Sequence, residues 1–258
     1  MSSSVTTLVT GGTGTLGQAL LPRLQARGHD VRAASRSPPT DDEVTWSRMD
    51  LTTGDGLRAA VADVDVVVHT ASSPLGDTEA VDVDGTNRLL DVAADAGVAN
   101  VVYISIVGME DIPYSYYEHK LAAERAVEES EVPSTVLRST QFHQFVHEIL
   151  ETVGRLPVWP LPTRMQLQPV DVDVVADRLA EHATPEPSGR LDPIGGPEVR
   201  RLGELARAYR EARGRWRPIV RLPIPGRTVG AFRDGKATCP EYATDSPTWE
   251  AWLDATYG

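Results

Sequence analysis

At 258 residues the chain can form one large α/β domain with a substantial core, or such a domain with an appended lobe. A formal net charge of −12 argues against a nucleic-acid backbone as partner, and there is no basic stripe for a membrane surface. The single cysteine, Cys239, excludes an intrachain disulfide framework. Met1 and three serines run straight into a strand pattern, and no apolar run reaches about eighteen residues, so a soluble cytoplasmic protein is expected.

A short β-branched run over residues 5–10 feeds the glycine cluster Gly11-Gly12-Thr13-Gly14-Thr15-Leu16-Gly17. The cluster opens into a helical pattern carried by Leu16, Ala19, Leu20 and Leu24, which stops at Arg27-Gly28. A second apolar strand is expected over 30–35. Strand, spaced glycines, helix and strand in that order define a dinucleotide site rather than a bare turn. Gly11 suits the tight turn, Gly14 lets backbone approach a pyrophosphate, and Gly17 should let the helix pack closely on the sheet. Gly11, Thr13, Gly14, Thr15, Leu16 and Gly17 are therefore the expected pyrophosphate-binding group. No Gly-Lys-Ser/Thr closes the cluster, which excludes a P-loop.

The end of the second strand bears on which dinucleotide. An NAD site places an Asp or Glu there for the ribose 2′-hydroxyl, but this chain reads Ala33-Ala34-Ser35-Arg36. A guanidinium offers bidentate donors and a permanent charge to a 2′-phosphate. NADP(H) is the expected cofactor, with NAD(H) second.

Beyond a proline-bearing loop over 37–43 come a strand over 44–49, a short helix over 56–62 and a continuous apolar strand over 64–70. The chain breaks at Ala71-Ser72-Ser73-Pro74 before a long helix over 78–96, stopped by Gly97. A strand over 101–106, a helix over 116–129 and a strand over 134–138 complete the rhythm of a doubly wound parallel sheet, an α/β Rossmann-like fold. Past Arg138 proline clusters appear, and four of the five tryptophans lie there. We expect one NAD(P)-binding domain over 1–258, with a nucleotide-binding core of about residues 1–140 and a small substrate-side lobe of about 141–258 over the strand ends. Residues 168–182, read as a strand then a helix, should return to the core and interleave the two.

Tyr116 and Lys120 stand one helical turn apart and share a face. An ammonium beside a phenol stabilises the phenolate, so Tyr116 can act as acid or base near neutrality. Lys120 can also reach a nicotinamide ribose. Lys120 and Lys236 are the only lysines in a chain with twenty-three arginines, which singles out the one that follows a tyrosine.

The runs Thr10–Gly17, Asp50-Leu51, His69-Thr70-Ala71-Ser72 and Tyr116–Lys120 resemble the short-chain dehydrogenase/reductase superfamily. The glycine spacing, Arg36 and the segment Leu137–His143 are more similar to its atypical branch, the NmrA-like NAD(P)-binding proteins. The similarity covers about residues 5–145. It implies that Asp50 and Leu51 flank the adenine, that Ala71 and Ser72 line the ribose, and that Tyr116 and Lys120 form the catalytic pair. By the same analogy, a homodimer is the expected assembly.

The superfamily's catalytic Ser/Thr aligns here with Ile106, while Ser105 stands one residue early and in a regular strand faces the other way. Either a bulge re-aims Ser105, or Thr140, Gln141 or His143 substitutes, or carbonyl reduction is not the reaction. Gln141 and His143 are carried as substrate-side residues, although His143 also reads as a packing histidine between Phe142 and Phe145. His143, His147 and Glu148 lack a third-ligand pattern, so no metal is expected. Asp171 and Asp173 read as helix N-terminal acids. The leading expectation is an NADP(H)-dependent oxidoreductase acting on a small carbonyl or activated alkene. Its alternatives are a non-catalytic NAD(P)H sensor and a redox-neutral isomerase or cyclase.

Overall fold

The computed structural model describes residues 4–40, 44–74 and 76–258; the end of the loop expected over 37–43 lies outside them. The first ten elements are β1 (Thr6–Thr10), α1 (Thr15–Ala26), β2 (Asp30–Ser35), β3 (Thr45–Arg48), α2 (Leu57–Val61), β4 (Val66–His69), α3 (Gly85–Ala96), β5 (Asn100–Ile106), α4 (Ser115–Glu129) and β6 (Ser134–Ser139). They are followed by α5 (His143–Gly154), β7 (Trp159–Leu161), β8 (Gln166–Leu167), α6 (Val172–Glu181), β9 (Gly189–Arg190) and β10 (Arg200–Arg201). The chain closes with α7 (Leu202–Ala212), β11 (Ile219–Arg221), α8 (Arg227–Arg233) and α9 (Trp249–Tyr257).

Seven strands form one sheet in the order β3-β2-β1-β4-β5-β6-β9, with parallel registers such as Thr10↔Ala34 and Thr10↔His69. Strand order reverses between β1 and β4, the switch point where open sheets of this kind bind ligands. The fold is the Rossmann-like α/β type that the alternation of patterns predicted.

Two expected elements differ. The helix over 78–96 is a π-helical turn, Glu79–Asp84, running into α3. The wider turn carries Asp82 into a buried position, which a period-3.6 reading of an acidic segment does not reveal. The strand expected from Gln168 instead falls at β8 and pairs antiparallel with β10, outside the main sheet. Pro169 has no N–H for a ladder, and the Gln168 amide spends its bonds on Gly196 O (2.7 Å) and the Cys239 N–H (2.7 Å).

The chain divides into two compact units. The first comprises residues 1–105, 115–137 and 173–192, so α6 and β9 belong to it. Its core joins Leu8 and Val67 of the sheet to Leu89 of α3 and Val127 of α4, all fully buried. The second comprises 106–114, 138–172 and 193–258, around Trp159, Tyr209, Leu150 and Leu205. Its proline-rich segments lack long helices, and buried aromatic area supplies the packing instead.

A polar thread crosses the first unit. Thr10 Oγ1 and His69 Nδ1 share a hydrogen bond of 2.6 Å, and His69 Nε2 meets Thr86 Oγ1 at 3.0 Å. Burial, with the Lys120 charge adding to it, pushes His69 down to about 3, so it is neutral in the native state. The unfolded chain takes that proton near 6.5, so this contribution to stability is present above 6.5 and lost as pH falls toward 3. Lowering the pH from 6.5 to 5 should therefore cost about 2 kcal/mol through this residue. Urea denaturation at several pH values should show that increment in the native sequence and not in His69→Gln; equal pH slopes would contradict it.

Candidate functional site

Gly11 takes φ +69°, and a Cβ there would lie 2.7 Å from Ala71 Cα. The glycine thus makes the turn and lets the segment after β4 close against the end of β1. Thr70 ties the same two strands, its Oγ1 donating to Thr10 O at 2.7 Å. Gly17 does something other than expected. Its missing Cβ would strike the Gly11 carbonyl oxygen and lie 2.7 Å from Gly12 Cα, so α1 packs on the turn itself at this point. Gly14 is the N-cap of α1 and brings no side chain, leaving first-turn N–H groups and the helix dipole for an anion.

Around this turn lies a cleft of about 850 Å³. Gly11, Thr13, Gly14, Arg36, Asp50, Leu51, Ala71 and Ser72 all line it. Thr15, exposed, and the buried Leu16 and Gly17 form the first turn of α1 behind them. Ser35 Oγ meets Thr13 Oγ1 at 3.2 Å and accepts the Ser37 N–H at 3.2 Å, which fixes the turn that carries Arg36. Asp50 accepts from Thr52 Oγ1 (2.6 Å) and N–H (2.8 Å), and these bonds hold its carboxyl below the usual range. Arg48, at the end of β3 in register with Ser35, also lines the cleft and was missed. Its signal was an arginine closing a four-residue strand, too short for a period to show which way it leads.

Tyr116 and Lys120 occupy the first turns of α4. The Tyr116 hydroxyl lies 3.0 Å from Ser72 Oγ. Lys120 is buried, its Nζ donating to Ile104 O at 3.0 Å and lying 4.2 Å from the Tyr103 ring centroid. Asp82 Oδ1 is 3.8 Å from the same nitrogen. Burial pulls Lys120 down to about 8, against the opposing pull of the Asp82 and Glu124 charges.

Ser105 is buried within an uninterrupted β5, where burial alternates from Tyr103 to Ile106 and puts Ser105 on the Tyr103 side. The Ser72 hydroxyl is brought against Tyr116. Sequence spacing cannot give that contact, because it joins residues 44 apart.

In the second unit, Thr140 Oγ1 donates to Gln168 O (2.5 Å), and Gln141 donates to Ala237 O (3.1 Å) while accepting the Gln168 N–H (3.2 Å). His143 stacks on Trp249 and Trp252 and its Nε2 lies 3.1 Å from Pro247 O, and His147 pairs with the Tyr257 hydroxyl. These side chains are absorbed by packing. Among the described residues no group of three or more His, Cys, Asp or Glu could hold a metal ion. No helix among them is long and apolar enough to cross a membrane.

The fold and cleft define a Rossmann-type dinucleotide-binding protein. More narrowly, the chain belongs to the NAD(P)H-binding family whose model matches residues 11–152. A 3-beta-hydroxysteroid dehydrogenase of Mycolicibacterium neoaurum is 34% identical over 152 residues, covering 46% of this chain and 42% of that protein. The chain thus spans less than half the length of that curated relative. An NADPH-dependent quinone oxidoreductase from Escherichia coli, solved with NADPH, superposes with a TM-score of 0.80 at 15% identity, over 98% of this chain and all of that one. The Citrobacter sp. triphenylmethane reductase complexed with NADP(H) gives a TM-score of 0.75 at 20% identity, over 97% and 99% of the two chains.

Gly17→Ala should weaken NADPH binding by at least about tenfold in calorimetry, because the added methyl displaces the turn that presents the N–H groups. An unchanged dissociation constant would show that the turn tolerates a Cβ.

Proposed function

We propose that the chain is an NADPH-dependent oxidoreductase that reduces a small organic carbonyl or activated alkene. The observation that carries it is the Tyr116 hydroxyl, 3.0 Å from Ser72 Oγ, with Lys120 one turn along the same helix and in the same compact unit as the glycine-lined cleft. The nucleotide fits this unit. Its pyrophosphate has the glycine turn and the α1 N-terminus, and its adenosine end has Arg36, Arg48 and Asp50.

When bound, the reduced nucleotide supplies two electrons as hydride. The Tyr116 O–H donates its proton to the substrate atom that takes up negative charge, leaving a phenolate. Lys120, still charged below about 8, stabilises that phenolate and holds the ribose hydroxyls. Ser72 orients the Tyr116 oxygen and is the hydroxyl placed to steady a developing oxyanion. Ser105 lies buried on the Tyr103 side of β5, the side that faces Lys120.

Turnover with a panel of quinones, ketones and enones should fall by about two to three orders of magnitude in Tyr116→Phe, with the NADPH dissociation constant little changed. Equal turnover would remove Tyr116 from the mechanism. NADPH binding without consumption by any substrate would favour the sensor reading.

Arg36 and Arg48 line the cleft and would offer their charge to the 2′-phosphate of NADPH. Arg36→Ala should therefore raise the dissociation constant for NADPH at least about tenfold while leaving that for NADH nearly constant. A parallel loss for both nucleotides would assign Arg36 to the shared part of the cofactor.

A further inference from the structure

We propose that Asp82 is a positioning residue for this site, with one carboxylate oxygen directed at the Lys120 ammonium and the other holding the loop that presents Ser72. The inference rests on the reading that Tyr116 and Lys120 act together. Asp82 lies in the π-helical turn Glu79–Asp84 and is 1% exposed. Its Oδ1 stands 3.8 Å from Lys120 Nζ and has no hydrogen-bond partner among the described residues. Its Oδ2 accepts the N–H of Ser73 at 3.1 Å. Ser73 adjoins Ser72, whose hydroxyl meets Tyr116. One buried carboxylate thus stands beside Lys120 and ties the residue next to Ser72.

The electrostatics require such a group. A lysine taken out of water loses its proton readily unless an opposite charge is near. The ionisable groups around Lys120 are Asp82 from the π turn, Glu124 and Tyr116 from α4, Tyr103 from β5 and His69 from β4. Glu124 is already paired with Arg190 at 2.7 Å. His69 is neutral, and burial with the Asp82 charge raises Tyr103 well above 10, so it too is neutral. Asp82 is left as the carboxylate committed to the ammonium. Without it Lys120 would be uncharged over more of the neutral range and could not steady a phenolate.

Lysine labelling tests this directly. Lys120 and Lys236 are the two lysines of the chain, so the full-length protein carrying ¹³Cε-lysine gives two signals, assigned with Lys120→Met. Asp82→Asn keeps the side-chain shape and an acceptor for Ser73. It should lower the Lys120 midpoint from about 8 by roughly one unit or more and leave Lys236 in place. Asp82→Glu should recover part of that shift. NADPH affinity at pH 7.5 should weaken about threefold or more in the Asn variant, in step with the fall in the charged fraction of Lys120. An unchanged Lys120 midpoint in folded Asp82→Asn overturns the proposal, whether or not NADPH binds. A shifted midpoint in a protein that binds no nucleotide sustains the Asp82–Lys120 coupling and overturns the functional reading instead. Should the Asn variant not fold, ¹³Cγ-aspartate spectra of the unaltered protein decide. One aspartate signal must inflect at the Lys120 midpoint and lose that inflection in Lys120→Met; its absence overturns the proposal.

Discussion

The site depends on a backbone contact that admits no side chain. At Gly11 and Gly17 the turn after β1, the first residues of α1 and the segment after β4 approach so closely that a Cβ would meet backbone atoms of Ala71, Gly11 and Gly12. Three consequences follow from that closeness. The α1 N-terminus is presented bare, with its partial positive charge outward. The loop after β4 is held beside the turn, which brings Ser72 into the cleft. Thr10 is fixed where it can share a hydrogen bond with His69, and that begins the polar thread through the first unit.

The chain carries a net charge of −12, so attraction for an anionic nucleotide must come from local groups and not from the molecule as a whole. The bare helix end, Arg36 and Arg48 lie at the cleft and are the groups proposed to supply it. Lys120 is different in kind, since it is charged within the interior and set against Asp82, the face of Tyr103 and the Ile104 carbonyl. Burial alone would favour the neutral amine, and the nearby carboxylates oppose it. The balance leaves a lysine that titrates close to the neutral range, the property an acid–base partner needs.

The fold was legible because its signals are local. Glycine spacing, the apolar run of β4 and the stops at Gly28 and Gly97, both of which take positive φ, are properties of neighbouring residues. The lining of the cleft was legible for the same reason, since Gly11, Thr13, Gly14 and Arg36 stand within one βαβ unit. What the sequence did not reveal depends on long-range approach. The meeting of Ser72 with Tyr116, the burial of Asp82 beside Lys120 and the absorption of Gln141 and His143 into packing join residues far apart in the chain. Ser105 shows the limit from the other side. Strand parity puts it on the Tyr103 side of β5, but parity does not reach the Ser72–Tyr116 contact, which joins distant segments.

The central claim is that the cleft beside the glycine turn binds a reduced pyridine nucleotide. Titration of the unaltered protein with NADPH and with NADH, followed by nucleotide fluorescence and calorimetry, tests it most directly. The account predicts saturable one-to-one binding, tighter for NADPH than for NADH. Absence of measurable binding for both nucleotides would contradict it.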